Sequence, residues 1–170
     1  MSQPPRVGDL EVNQDIKHEE LTWRLQRIGW GLMLLLVVAA LVGLLGPGPL
    51  SAAQAGKRGS PLWVEYNRFE RYQSPVLLRV HVGPQAVQQG KIKLYISRQF
   101  IENIELERIN PEPQSVELGV DTLAYSFDAP NLAASSTISF HFQPNTWGRL
   151  PLHIALQGGP RAEFSQFLYP

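Results

Sequence analysis

The 170-residue chain predicts a mainly β protein in which one N-terminal transmembrane α-helix precedes an antiparallel sandwich, and three observations carry that prediction. The stretch from Ile28 to Leu45 is apolar, and no charged residue occurs between Arg27 and Lys57. From Pro61 onward apolar side chains recur at every second position in short runs, the period of a half-buried strand. Gly, Pro, Asn and Asp separate those runs, as turns require.

The apolar run fixes the organisation of the rest. An α-helix rises ~1.5 Å per residue and a bilayer core is about 30 Å thick, so roughly 20 apolar residues cross it. The implied division is residues 1–27 as cytoplasmic tail and helix start, 28–46 as transmembrane helix, 47–60 as linker and 61–170 as extracytoplasmic β-sandwich. A helix apolar on every side could instead be buried in a soluble core, but a remainder that reads as strands offers no helical core to surround it. A cleaved signal peptide is the competing reading, because Ala53-Gln54-Ala55 before Gly56 forms an A-x-A site. Against cleavage, the apolar run exceeds the usual signal core and 27 residues rich in acids precede it.

The first fifteen residues show no helical or strand period and read as a solvated tail. A helix starts after Asp15 as N-cap and runs unbroken into the membrane. Trp23 and Trp30 bracket Arg24 and Arg27, an aromatic and basic collar suited to the headgroup level of the inner membrane lipid. Lys17, Arg24 and Arg27 lie nearer the span than Lys57 and Arg58, which favours a cytoplasmic N-terminus and a periplasmic or external domain. Ala39 and Gly43 are spaced so that a second helix could approach closely. Gly46-Pro47-Gly48-Pro49 is expected to end the helix, with Ser51 to Ser60 as a small-residue linker.

Strands are expected at Leu62 to Phe69, Val76 to Val82 and Lys91 to Ser97. A turn or short helix then precedes a strand in the stretch from Arg98 to Ile109. Further strands follow at Val116 to Val120, Leu123 to Phe127, Ile138 to Phe142, Leu150 to Leu156 and Glu163 to Tyr169, with a turn at Ala129-Pro130-Asn131. Such a series without long helices favours an immunoglobulin-like antiparallel β-sandwich, with a small barrel as the alternative.

Composition narrows function. Acidic and basic residues balance at 15 each, so no broad field attracts nucleic acid, and the absence of cysteine removes disulfides, thiolate metal sites and thiol nucleophiles. No nucleophile elbow, phosphate-cradling loop or dinucleotide fingerprint occurs, and neither an enzyme nor a cofactor is expected. His81, His141 and His153 fall opposite the apolar positions of their strands, and would make a ligand or metal sensor only if the fold gathered them. Glu102, Glu105, Glu107 and Glu112 lack the spacing of a calcium loop and read as a solvated face. The distinctive polar stretch is Val64 to Tyr72, where Tyr66, Arg68, Phe69, Arg71 and Tyr72 interleave aromatic and guanidinium groups. These side chains are enriched at protein contacts, which makes them the candidate partner surface. If they are instead an ordinary first strand, its aromatics enter the core and its arginines pair with Glu65 and Glu70.

Gln26-Arg27-Ile28-Gly29-Trp30, Gly48-Pro49-Leu50-Ser51, Val64-Glu65-Tyr66 with Arg68-Phe69, Pro111-Glu112-Pro113, and the terminal Phe164, Gln166-Phe167 and Tyr169-Pro170 together carry a likeness. In these the chain resembles a family of uncharacterised bacterial single-span inner-membrane proteins often encoded beside YetF-like membrane proteins. The resemblance spans most of the sequence after Arg24 and implies a partner in the same bilayer. It assigns no activity and no residue role.

Overall fold

The computed structural model describes residues 16–44, 48–129 and 135–170, with side chains from Thr22 onward. The solvated tail, Asp15 as N-cap, Gly46-Pro47 of the expected helix stop and Pro130-Asn131 of one expected turn lie outside the described residues. Residues up to Val38 form one compact unit and those from Ala39 a second.

Helix α1 runs without a break over Ile16–Leu41, and its stretch Thr22–Leu41 is long and apolar enough to cross a membrane, with none of it buried. It stops earlier than expected. Gly43 adopts a left-handed φ of 85°, the Gly43 N–H donates to Ala40 O at 3.0 Å and the Leu44 N–H donates to Ala39 O at 3.0 Å. This pair of bonds satisfies the last carbonyls of a helix closed by glycine. The helix, expected to continue to residue 46, ends at Leu41, because a residue free to take positive φ stops it before any proline does. Gly43 is also packed against Gly48, where an added Cβ would lie 2.5 Å from the Gly48 Cα. It thus serves the helix stop and not a helical small-residue seam.

Among the described residues the second unit contains eleven strands, a short α-helix and a 3-10 turn at Pro84–Ala86: β1 (Ala52–Ala55), β2 (Leu62–Asn67), β3 (Phe69–Arg71), β4 (Val76–Val82), β5 (Lys91–Ser97), α2 (Arg98–Glu102), β6 (Ile104–Asn110), β7 (Ser115–Leu118), β8 (Thr122–Asp128), β9 (Ser136–Pro144), β10 (Gly148–Leu156) and β11 (Arg161–Tyr169). They form two sheets, one in the order β1-β2-β4-β9-β6 and the other β3-β11-β10-β5-β8-β7. Neighbours are antiparallel except β3, which lies parallel to β11. The fold is a two-layer sandwich and not a barrel, because among the described residues no ladder joins the two sheets.

Alternation places the core between the layers. Leu78 and Val80 of β4 face inward beside Phe140 and Ile138 of β9, and Ile92 and Leu94 of β5 face inward beside Phe127 and Tyr125 of β8. Aromatic edges lock the layers, Phe100 against Phe142 with centroids 5.3 Å apart and Tyr125 against Phe140 at 6.0 Å, the edge-to-face geometry favoured by ring quadrupoles. Edge strand β6 carries Glu105, Glu107 and Arg108 and a register shift between Leu106 and Arg108, features that discourage pairing with a foreign strand.

Two expectations fail here. The stretch 47–60 is not wholly a linker, since β1 pairs with β2 in the register Ala53↔Tyr66 and Ala55↔Val64, and Ser51 is fully buried. Ala-Ala-Gln-Ala has too little polar contrast for its strand to be read, and the ladder with β2 supplies what its side chains do not. The first expected strand, Leu62 to Phe69, divides at Arg68. Its earlier part belongs to the five-stranded sheet and its continuation, β3, to the other.

Candidate functional site: an arginine and aromatic rim at the strand crossover

The crossover at Arg68 is built on buried hydrogen bonds. Ser51 Oγ donates to Phe69 O at 3.1 Å and accepts from the Phe69 N–H at 3.2 Å, while the Arg68 N–H donates to Ser51 O at 2.7 Å. On the far side the Phe167 N–H donates to Arg68 O at 2.7 Å and the Tyr72 N–H to Tyr169 O at 2.8 Å, which lays β3 along the end of β11. The chain can leave one sheet for the other here because Ser51 and β11 receive the backbone groups that neither ladder satisfies.

Inside the corner lie polar side chains at positions that alternation assigns to the core. Glu70 is 6% exposed and accepts from Asn67 Nδ2 at 2.8 Å; Gln166 is 1% exposed and donates from Nε2 to Asn67 O at 3.0 Å. Burial raises the Glu70 pKa above the usual carboxylate range, and the Asn67 hydrogen bond opposes that rise in part. The Gln166 Oε1 is buried and has no hydrogen-bond partner among the described residues.

The five candidate contact residues therefore do not form one strand face. Tyr66 turns toward the core rim and stacks on Phe164, with centroids 4.0 Å apart. Arg68 stands exposed at the crossover, Phe69 is half-buried beside Phe167, Arg71 is exposed beside Tyr169, and Tyr72 is exposed just after β3. Glu65 pairs with Arg58 at 3.5 Å and approaches His81 at 3.4 Å, and Glu70 bonds Asn67, so neither takes Arg68 or Arg71 as the plain first-strand reading requires. Among the ion pairs of the described residues neither arginine takes part.

A groove of about 510 Å³ opens here, with Tyr66, Arg68 and Phe69 on one side and β11 with Arg149 on the other. Arg149 and the β11 residues Glu163, Phe164, Ser165, Gln166 and Phe167 are the members that sequence reasoning missed. One signal was available: Gln166 occupies a core position two residues before Leu168, where an apolar side chain is expected. A second groove, of about 570 Å³, lies on the five-stranded sheet, where Arg58 and Arg79 flank Glu65.

The histidines do not gather. His81 and His141 lie on β4 and β9 of the five-stranded sheet, whereas His153 lies on β10 of the other. His81 stacks on Trp63 with ring centroids 3.7 Å apart, and its Nδ1 lies 3.0 Å from Thr137 Oγ1. Among the described residues no group of three acidic or histidine side chains is arranged to hold a metal ion. On α1, the Arg27 guanidinium lies 3.6 Å from the Trp23 ring centroid, while Trp30 is exposed, as is Arg24.

No protein-family model matches the chain, and no curated protein matches it either. Among solved structures the chain is similar to the seventh ScaB type I cohesin from Pseudobacteroides cellulosolvens, at 7% identity over 59% of this chain and 82% of that one, with a TM-score of 0.36.

Proposed function

We propose that the protein is a non-enzymatic binding module, anchored in the bacterial inner membrane by α1 with its N-terminus in the cytoplasm, whose sandwich recognises another membrane or envelope protein. The observation that carries this reading is the crossover rim, where Arg68, Arg71 and Arg149 stand beside exposed aromatic surface without an ionic partner among the described residues. Arginine and aromatic groups of this kind dominate protein contacts because they deliver area and hydrogen bonds with few rotors. The apolar helix supports the anchor, with the collar of Trp23, Arg24, Arg27 and Trp30 at the lipid headgroups.

The sandwich's use of Ser51 to Ala55 supports retention of the anchor. Cleavage after Ala55 would remove β1 and the serine that holds the crossover. Tethering raises the effective concentration of a module beside its partner to roughly the millimolar range, so modest contacts suffice. A YetF-like membrane protein is the first partner to test, on the resemblance stated above.

Full-length protein solubilised in detergent should bring down an integral membrane partner, and Arg68→Ala with Arg71→Ala should lower the recovery without changing the melting transition. Recovery of the protein alone, or of the mature chain as a soluble species beginning at Gly56, would overturn the reading.

A further inference from the structure

Strand β11 is paired along its whole length on one side only. Against β10 it runs from Arg161 to Leu168, but β3 covers it only from Phe167 to Tyr169. The direction of its remaining backbone groups follows from the ladder. The Leu156 N–H donates to Pro160 O at 3.1 Å, so even-numbered residues of β11 exchange hydrogen bonds with β10 and odd-numbered ones face away. Pro151, which has no N–H to donate, stands opposite Ser165 as that parity requires. The Phe167 N–H to Arg68 O bond has the same parity on the β3 side. The N–H and C=O of Glu163 and Ser165 therefore point into the groove at the point where β3 stops short.

We infer that this open part of β11 receives an extended acidic peptide of the partner protein as an added strand in line with β3. The inference rests on the binding-module reading above and names the chemistry of the partner. Backbone hydrogen bonds to Glu163 and Ser165 supply the affinity that strand addition always draws on. Selection comes from charge. Arg68 and Arg149 take part in no ion pair among the described residues, and Arg149 Nε donates to the Ser165 hydroxyl at 3.1 Å. Both line the groove, so carboxylates of the incoming strand fit opposite them. The stacked Tyr66 and Phe164 supply an apolar floor for an inward side chain.

The test uses the full chain in detergent micelles and a short labelled peptide of alternating valine and aspartate. Saturable binding is expected, with hydrogen-exchange protection at the Glu163 and Ser165 amides, and about tenfold weaker binding of the valine and lysine counterpart. Ser165→Pro removes an outward N–H without touching the β10 ladder and should weaken the aspartate peptide about tenfold or more. Arg68→Glu with Arg149→Glu changes exposed positions only and should reverse the preference between the two peptides. Undiminished binding to a folded Ser165→Pro variant overturns the inference, as does absence of protection at the two amides. An unreversed preference does so too, and decides the matter if Ser165→Pro fails to fold. A dimer that Ser165→Pro dissociates would show that a second copy fills the slot, and would also overturn it. If the membrane partner still co-purifies with Ser165→Pro, the slot fails while the binding-module reading stands. If the peptide binds but the parent protein recovers no partner, that reading fails alone.

Discussion

The central strands and the crossover corner of the same sandwich are held by different forces. In β4, β9 and β10 the buried inward positions are all apolar, so stability comes from transfer of side chains out of solvent and close packing. At the corner the inward positions include Glu70 and Gln166, and order comes from a few directed bonds made by Ser51, Asn67 and β11. Apolar packing tolerates a change of shape better than a polar cluster tolerates loss of a partner, because a buried donor or acceptor left without one costs its full desolvation. The corner is thus the more specific region, and it is also where the uncovered edge lies, with arginines that take part in no ion pair among the described residues.

That contrast is sharpest where it is tested by deletion. Phe142→Ala should destabilise the domain by about 3–5 kcal/mol, since the ring is fully buried and its edge contact with Phe100 is lost; chemical denaturation of the full chain measures it. A loss well under this would mean that the centre collapses around the gap and is less tightly packed than its burial indicates.

A smaller but more localised effect is expected from Ser51→Ala. It removes the hydroxyl that both donates to and accepts from Phe69, at a cost of about 1–2 kcal/mol, and faster hydrogen exchange should be confined to Phe69 and its neighbours in β3. Uniformly faster exchange would erase the distinction between corner and centre.

The smallest change is one of pH dependence. Burial raises the Glu70 pKa above its unfolded value, so the folded state binds this proton more tightly than the unfolded chain does. The stability linked to this group is fully present below the ordinary carboxylate range and is lost as pH rises through the raised value. Glu70→Gln should therefore stabilise the domain at neutral pH and flatten this part of its pH profile, as read from melting temperatures across the acidic range. A lower melting temperature for the variant at neutral pH would mean that the Asn67 hydrogen bond outweighs burial.

Strands such as Val76–Val82 and Lys91–Ser97 are legible because one face of each is apolar and the other is not, so period alone identifies both the strand and its buried side. The short helix Arg98–Glu102 before β6 is readable for the same reason, from the change of period around Phe100 and Ile104. The candidate stretch was legible in composition but not in layout. Its even positions are Val64, Tyr66, Arg68 and Glu70, with the exposed Arg68 at the change of sheet, so period alone does not separate a single strand ending in solvent from a crossover. Its polar residue at an inward position was the one sign of the change.

The amino-acid order by itself determined the membrane-length apolar helix, the alternating strands and the location of arginine and aromatic side chains near residues 66–72, because each is a local property of period and composition. Only the tertiary structure decided that Ser51 to Ala55 belong to the sandwich, and that Arg149 and Gln166 join Arg68 around an open strand edge. These depend on hydrogen bonds and contacts between segments up to about a hundred residues apart, as in the bond from Gln166 to Asn67, and no local period encodes which distant backbone group will be left to pair.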